Sequence, residues 1–331
     1  MLINSSKNLL ISSSPSSSPV HQHVSQDTVE EFEFSILQNN TWTLKKSFAK
    51  IAYLFFKKSG LSFFFKFVTT KKNLFTVIMN IGNLELYTFP WFQFKAASKS
   101  IYLFDAWEQY YETIIAKIKK YNINYLFVSS SFSAERLENK ISGCFVQWIP
   151  EGINSEDYKF QKFEAKDIDI LQMGRKYSLY HNKILKFCES ENISYVYEKK
   201  KGEIIYKTRN EFIEGLSRTK ISICVPASVT DPNKKNVSTL TQRYLQSMSS
   251  KALILGMFPQ EMIDLFGYLP GVEIDMNDSV KQLQYILKNY KNYIPLIEKN
   301  FEQVLKAHQW KNRFNEIQDI WENNKNLRSS Y

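Results

Sequence analysis

The chain has 331 residues, 44% of them hydrophobic and 15% aromatic, with 43 Lys plus Arg against 33 Asp plus Glu. That length suggests two domains of about 150 residues each, and ten Gly, nine Pro and the aromatic content exclude a collagen-like, low-complexity or wholly disordered chain. The surplus of ten positive charges, +6 over residues 1–150 and +4 over the rest, attracts nucleic acid, acidic lipid head groups and the diphosphate of an activated sugar alike.

In chain order, residues 1–30 read as a disordered Ser-rich tail, because Ser12–Pro19 cannot bury enough surface to offset its ordering entropy. His21 and His23 sit there with no further ligand, so no metal site is expected. From Phe48 to Lys72 aromatic and basic residues interleave. This stretch reads as an amphipathic helix followed by a strand over Phe63–Phe67, packed into a first domain of residues 31–150. A second reading is an in-plane contact with an anionic membrane surface, and a third is stacking on single-stranded nucleic acid, for which no recognition motif exists. Lysines 57, 58, 66, 71 and 72 interrupt the most apolar region, so a spanning helix is not expected.

Short apolar strands then alternate with helical patterns. Thr76–Met79, Ser100–Phe104, Asn124–Val128 and Cys144–Trp148 read as strands, with a helix over Ala106–Lys119. Pro150-Glu151-Gly152-Ile153-Asn154 is a hinge into a second domain of residues 151–320. There Ile168–Met173, Ile193–Tyr197, Ile221–Val225 and Ala252–Leu255 read as strands, and Tyr180–Cys188, Arg209–Arg218 and Thr239–Met248 as helices. This rhythm predicts an α/β fold with parallel sheets, whose ligands bind beyond the carboxyl ends of the strands. Past Gly271 the pattern is helical, with residues 321–331 expected as a tail.

The second unit's first strand ends in Met173-Gly174-Arg175-Lys176, where a glycine admits close backbone approach and an adjacent cation can hold a phosphate; the same pattern also suits an ordinary solvated turn. Neither GxGxxG nor the P-loop pattern occurs, which leaves dinucleotide dehydrogenases and P-loop NTPases without support. Ser238 and Thr239 lead into a helix whose first amides form an anion site, and Arg243, one turn inside, can add a bidentate contact or only cover the surface. Asp105 closes a strand and serves either as an acid or base or as the N-cap of the next helix; Glu108 lies just beyond it. Glu151 is a further acid at the hinge, His308 reads as structural, and His181 starts a helix away from any obvious partner. Cys144, Cys188 and Cys224 lie far apart and form no CxxC pair, which fits a reducing cytoplasm.

The order Pro150-Glu151-Gly152-Ile153-Asn154, strand-Gly174-Arg175, Thr241-Gln242-Arg243-Tyr244, Leu253-Ile254-Leu255-Gly256 and His308-Gln309-Trp310-Lys311-Asn312-Arg313 resembles the group 1 (family 4-like) glycosyltransferases, chiefly over residues 145–320. The resemblance implies GT-B architecture: two Rossmann-like domains facing across a cleft, with C-terminal helices of which the last returns to the first domain. It implies a nucleotide-sugar donor on the second domain, with Gly174, Arg175 and Arg243 at its phosphates, a glycan or lipid-linked acceptor on the first, and no cofactor or obligatory metal. No nucleic-acid partner is expected. The implied role is sugar transfer to a hydroxyl in surface polysaccharide or glycoconjugate assembly, in the cytoplasm or at the inner membrane face. The family carries two glutamates with seven residues between them where this chain has Ser238 and Gln246; Gln246 keeps a hydrogen-bonding amide but neither residue supplies a carboxylate. That departure opens an alternative, a catalytically degenerate binding or scaffold protein of the same fold.

Overall fold

The computed structural model describes residues 8–11, 46–71, 73–172, 174, 176–200, 203–234 and 236–328. The chain divides into one unit formed by Met1–Pro150 with Arg313–Tyr331, and a second formed by Glu151–Asn312. Both are α/β, each built on a five-stranded parallel sheet.

In the first unit, β1 (Asn8–Ile11) lies beside β2 (Asn73–Ile78), β3 (Ser98–Leu103), β4 (Tyr125–Val128) and β5 (Phe145–Trp148), in that spatial order. β1 falls inside the expected disordered tail; its pairing with β2 over Asn8–Ile11 corrects that expectation there, while the rest of 1–30 lies outside the described residues. β2, β3 and β4 are buried throughout, as parallel strands covered on both faces must be. Leu74, Ile78, Ile101, Leu103, Leu126 and Val128 share one face with Ile114 and Ile118 of the helix at Tyr111–Tyr121, and Ala134 and Leu137 of the helix at Ser131–Glu138. The second of these helices has no periodic signal in the sequence: it is short, polar and starts at serines, where Ser130 Oγ accepts the Ser133 amide at 3.4 Å. α1 (Lys46–Ser59) precedes β2, but Leu61–Phe67 is a 3-10 helix instead of the expected strand. A strand would hold Phe63, Phe65 and Phe67 on one side; only Phe65 turns inward, against Phe56, Phe89 and Phe94.

In the second unit, β6 (Ile168–Gln172), β7 (Tyr195–Tyr197), β8 (Thr219–Cys224), β9 (Leu253–Gly256) and β10 (Val272–Glu273) pair in the order β10-β9-β8-β6-β7. The order reverses between β6 and β8, so crossover helices fall on both faces. Ile170, Ile221, Ile223, Leu253 and Leu255 pack with Tyr180 and Ile184 on one face, and with Leu283, Ile286 and Ile297. Leu171, Cys224 and Ile254 pack with Leu216, Leu245, Met248, Met262 and Val304 on the other. The helix at Arg209–Ser217 starts on a Thr-x-x-Glu cap: Thr208 Oγ1 accepts the Glu211 amide at 3.2 Å, and the Glu211 carboxylate accepts the Lys207 amide at 2.8 Å.

The last helix, Trp310–Arg328, overturns the expected boundary at 320 and the tail from 321. Trp321 is buried edge-on against Phe75 and Phe127, and its indole donates to Ser100 Oγ at 3.1 Å. The spatial order of the first sheet puts its crossover helices on one face. This tryptophan covers the other.

Candidate functional site

The second sheet reverses beyond the carboxyl ends of β6 and β8, the place in open parallel sheets where ligands bind. Gln172 ends β6, and Gly174 follows with φ +68°, a left-handed conformation that a β-carbon would strain. Arg175 and Met173 lie outside the described residues. Residue 243, the second of the helix at Gln242–Ser249, brings its guanidinium over this glycine. A methyl group on Gly174 would lie 3.2 Å from Arg243 Nη2 and 3.3 Å from its Cζ. Two residues 69 positions apart in sequence thus meet at the switch point. The half-buried Arg243 side chain makes no hydrogen bond or ion pair with any described residue, although Cys224 and Tyr244 lie within its field. Burial pushes the Cys224 thiol up, and Arg243 partly opposes that shift. A guanidinium held this way has its donors open to an anion.

The helix tip itself is arranged differently from the sequence expectation. The Gln242 amide donates to Glu151 Oε2 at 2.8 Å, so the hinge glutamate supplies an anion to the start of the helix. Glu261, buried in the helix at Gln260–Phe266, accepts the Thr239 hydroxyl at 2.6 Å and the Leu240 amide at 2.7 Å. The loop and the first helical amide are therefore held by the chain's own carboxylates, and the open cationic group is Arg243. Nothing in the local pattern announces these contacts, which span 91 and 21 positions. Ser238 is half-buried. Gln246 is buried one turn beyond Arg243 on the same helical side.

Beside Gly174, Lys176 lies 5.4 Å over the Tyr197 ring and donates to the Glu198 carbonyl at 2.5 Å. His181, expected to lack a partner, shares a bond of 2.8 Å with the Tyr195 hydroxyl, which donates to Gln172 Oε1 at 2.6 Å. That direction makes Nδ1–H of His181 the donor. Burial first, and then Lys176, lower the His181 pKa and favour its neutral form. Gln172 is fully buried, and its Nε2 has no partner among the described residues, leaving an unspent donor directly before the glycine turn.

In the first unit, Asp105 follows β3 and is half-buried, with its amide donating to the Met79 carbonyl at 3.0 Å. It is not a helix N-cap: the 3-10 turn at Glu108–Tyr110 and the helix after it start at Trp107 and Tyr110. Glu108 is exposed in that turn. Ser129 and Ser133 close the neighbouring edge by donating to the carbonyls of Phe104 and Ala106, each at 2.7 Å. His308 is buried in the second unit, stacked on Phe266 at 4.5 Å between ring centres. Among the described residues no three His, Cys, Asp or Glu cluster in a way that could hold a metal ion, and no helix is long and apolar enough to cross a membrane.

No protein-family model matches the sequence, and no curated protein sequence does. Solved structures do match in fold. Over 86% of this chain and 60% of the other, TarM superimposes with a TM-score of 0.51 at 10% identity. Sucrose-phosphate synthase from Thermosynechococcus elongatus covers 90% of this chain, which spans 84% of it, with a TM-score of 0.53 at 12% identity. An α-glucosyltransferase solved with UDP and a 13-mer DNA containing an HMU base gives 0.54 at 12% identity, over 95% and 98% of the two chains. The chain spans less than two thirds of TarM. At these identities the likeness shows the architecture alone: Rossmann-like α/β domains of the GT-B fold.

Proposed function

We propose that this protein is a glycosyltransferase of the family 4-like group, moving a sugar from a nucleoside diphosphate donor to a hydroxyl of a glycan or lipid-linked acceptor in surface polysaccharide or glycoconjugate assembly. The observation that carries the reading is the open guanidinium of Arg243 over Gly174 at the switch point of the second sheet. In the reaction the bond between the sugar's anomeric carbon and the diphosphate oxygen breaks as the acceptor oxygen bonds to that carbon. Negative charge grows on the leaving diphosphate, and Arg243, with Arg175 and the Gly174 amide, stabilises it there. Thr239 and Ser238 shape the loop beside the donor, while the Gln246 amide replaces a carboxylate toward a donor hydroxyl. Asp105, with Glu108 next to it, is assigned the acceptor's proton. The basic side chains take the role that a metal would otherwise have, so no cofactor is required, and the setting is cytoplasmic.

Calorimetric titration with UDP, GDP and ADP tests the donor site. The wild type is expected to bind one of them, and Arg243→Ala to weaken that binding by about tenfold or more, the loss of a charge-assisted contact. Equal binding by the variant, or no binding by the wild type, refutes the site.

Ser238 and Gln246 favour a second reading, in which the same site binds a nucleotide or glycan without turnover and the protein acts as a scaffold. A Ser238→Glu/Gln246→Glu double variant distinguishes the two. Donor hydrolysis gained from a silent wild type identifies a degenerate enzyme, whereas turnover already present in the wild type removes the scaffold reading.

A further inference from the structure

The first unit carries a surface that sugar transfer does not account for. α1 is apolar on two sides. Its inner side sets Tyr53 and Phe56 against Phe89, with ring centres at 5.8 and 5.7 Å. Its outer side presents Ile51, Leu54, Phe55 and Lys58, spaced i, i+3, i+4 and i+7, all exposed. The 3-10 helix that follows continues this surface. Phe65 turns inward, while Phe63, Phe64 and Phe67 stand out, Phe63 lying edge-on to Phe67 at 5.1 Å and to Phe64 at 6.4 Å. Phe64 and Phe67 are 63% and 64% exposed and Ile51 is 66% exposed, far beyond the scattered single apolar residues of an ordinary surface.

Charge along this segment has one sign. Between Glu33 and Glu85 the sequence contains no Asp or Glu and eight Lys, so this segment alone holds +8 of the chain's net +10. Lys58, Lys66 and Lys71 are exposed within it, and Lys66 Nζ lies 5.9 Å over the Phe63 ring. A protein partner fits this poorly, because interface cores are depleted of lysine. Outward phenylalanines bordered by long lysines match the boundary of a bilayer: rings enter among the acyl chains, and ammonium groups stay at the level of anionic head groups.

We infer that the segment 51–71 docks the protein in the plane of an anionic membrane surface, with Ile51, Leu54, Phe55, Phe63, Phe64 and Phe67 inserted and Lys58, Lys66 and Lys71 paired with lipid phosphate. The docking is reversible and uses no spanning segment.

The test is flotation of the full chain with vesicles of phosphatidylcholine alone and with phosphatidylglycerol at about three parts in ten. Two triple variants accompany the wild type: Phe63→Ser/Phe64→Ser/Phe67→Ser and Lys58→Gln/Lys66→Gln/Lys71→Gln. Circular dichroism and melting temperature check that each is folded. The wild type is expected to float with anionic vesicles, and less so as salt rises. The phenylalanine variant should lose about tenfold or more in partitioning, and the lysine variant should lose both affinity and salt dependence. Failure of the wild type to float with anionic vesicles overturns the inference, as does flotation of both variants equal to wild type. A micromolar dimer that the phenylalanine variant dissolves, with no vesicle binding by the wild type, also overturns it by assigning the patch to a second copy of the chain.

Discussion

The two sheets are alike in strand number and parallel sense and opposite in what they leave open. The first runs through its strands in sequence order, so its connecting helices gather on one face and the other is covered by Trp321, from a helix almost 200 residues later in the chain. The second reverses between β6 and β8, is covered on both faces from within Glu151–Asn312, and opens instead at its carboxyl edge. At that edge a left-handed glycine meets a guanidinium with no carboxylate partner among the described residues. At the matching edge of the first sheet, serine hydroxyls of Ser129 and Ser133 donate to backbone carbonyls beside Asp105. Strand order therefore decides which sheet needs a borrowed cover and which has the switch point where the donor site is proposed.

The difference in cover is the easiest part to break. Trp321→Ala removes the indole from Phe75, Phe127 and Ser100, and is expected to cost about 3–5 kcal/mol in urea denaturation of the intact chain. A loss under about 1 kcal/mol would mean that the face is held by something else.

A feature shared by the two units sharpens the contrast. Each has a buried lysine tying backbone carbonyls together: Lys166 Nζ donates to Thr219, Ser250 and Lys251 at 2.7–3.0 Å, and Lys99 Nζ to Phe92 and Tyr121, both at 2.8 Å. Replacing Lys166 with Met leaves three carbonyls without their donor and is expected to destabilise by about 1–3 kcal/mol. Lys99→Met, which strands two, should cost less; the reverse order in denaturation would contradict this.

Gly174→Ala has a smaller effect on folding, about 1 kcal/mol from the left-handed backbone, with a disproportionate effect on nucleotide binding because the methyl group pushes Arg243 aside. Paired melting curves and titrations separate the two; unchanged nucleotide binding would detach the glycine from the site.

The smallest expected effect is a trend with pH. Burial lowers Lys166 to about 7 and Lys99 to about 8, against about 10.4 in an unfolded chain. Across those windows the unfolded state binds more protons, so this contribution to stability grows as pH rises and is lost as pH falls through the folded values. Melting temperature should climb between pH 7 and 9 through this contribution, and the Lys166→Met variant should climb less.

Much of this organisation is legible in the residues. Runs such as Ile168–Gln172 and Leu253–Gly256 are apolar enough to read as buried strands, and Gly174 and Arg243 stand out as a glycine after a strand and an arginine inside a helix start. Contacts between distant side chains and backbone leave no periodic trace in the sequence, as with Glu151 on the Gln242 amide and Glu261 on Leu240. Leu61–Phe67 misleads for a different reason: consecutive phenylalanines favour a strand by propensity, but a single inward pocket for Phe65 selects a tighter helix. The return of the last helix to the first unit is what the family resemblance implies, but Trp321 lies past the expected boundary at 320, because the sheet face it covers is left open by strand order far earlier in the chain.

The most direct test is a crystal structure of the full chain with a bound nucleoside diphosphate. The account predicts its terminal phosphate within hydrogen-bond distance of the Arg243 guanidinium and the Gly174 amide, beyond the end of β6. A nucleotide bound elsewhere, or one in this crevice with Arg243 turned away from its phosphates, would contradict it.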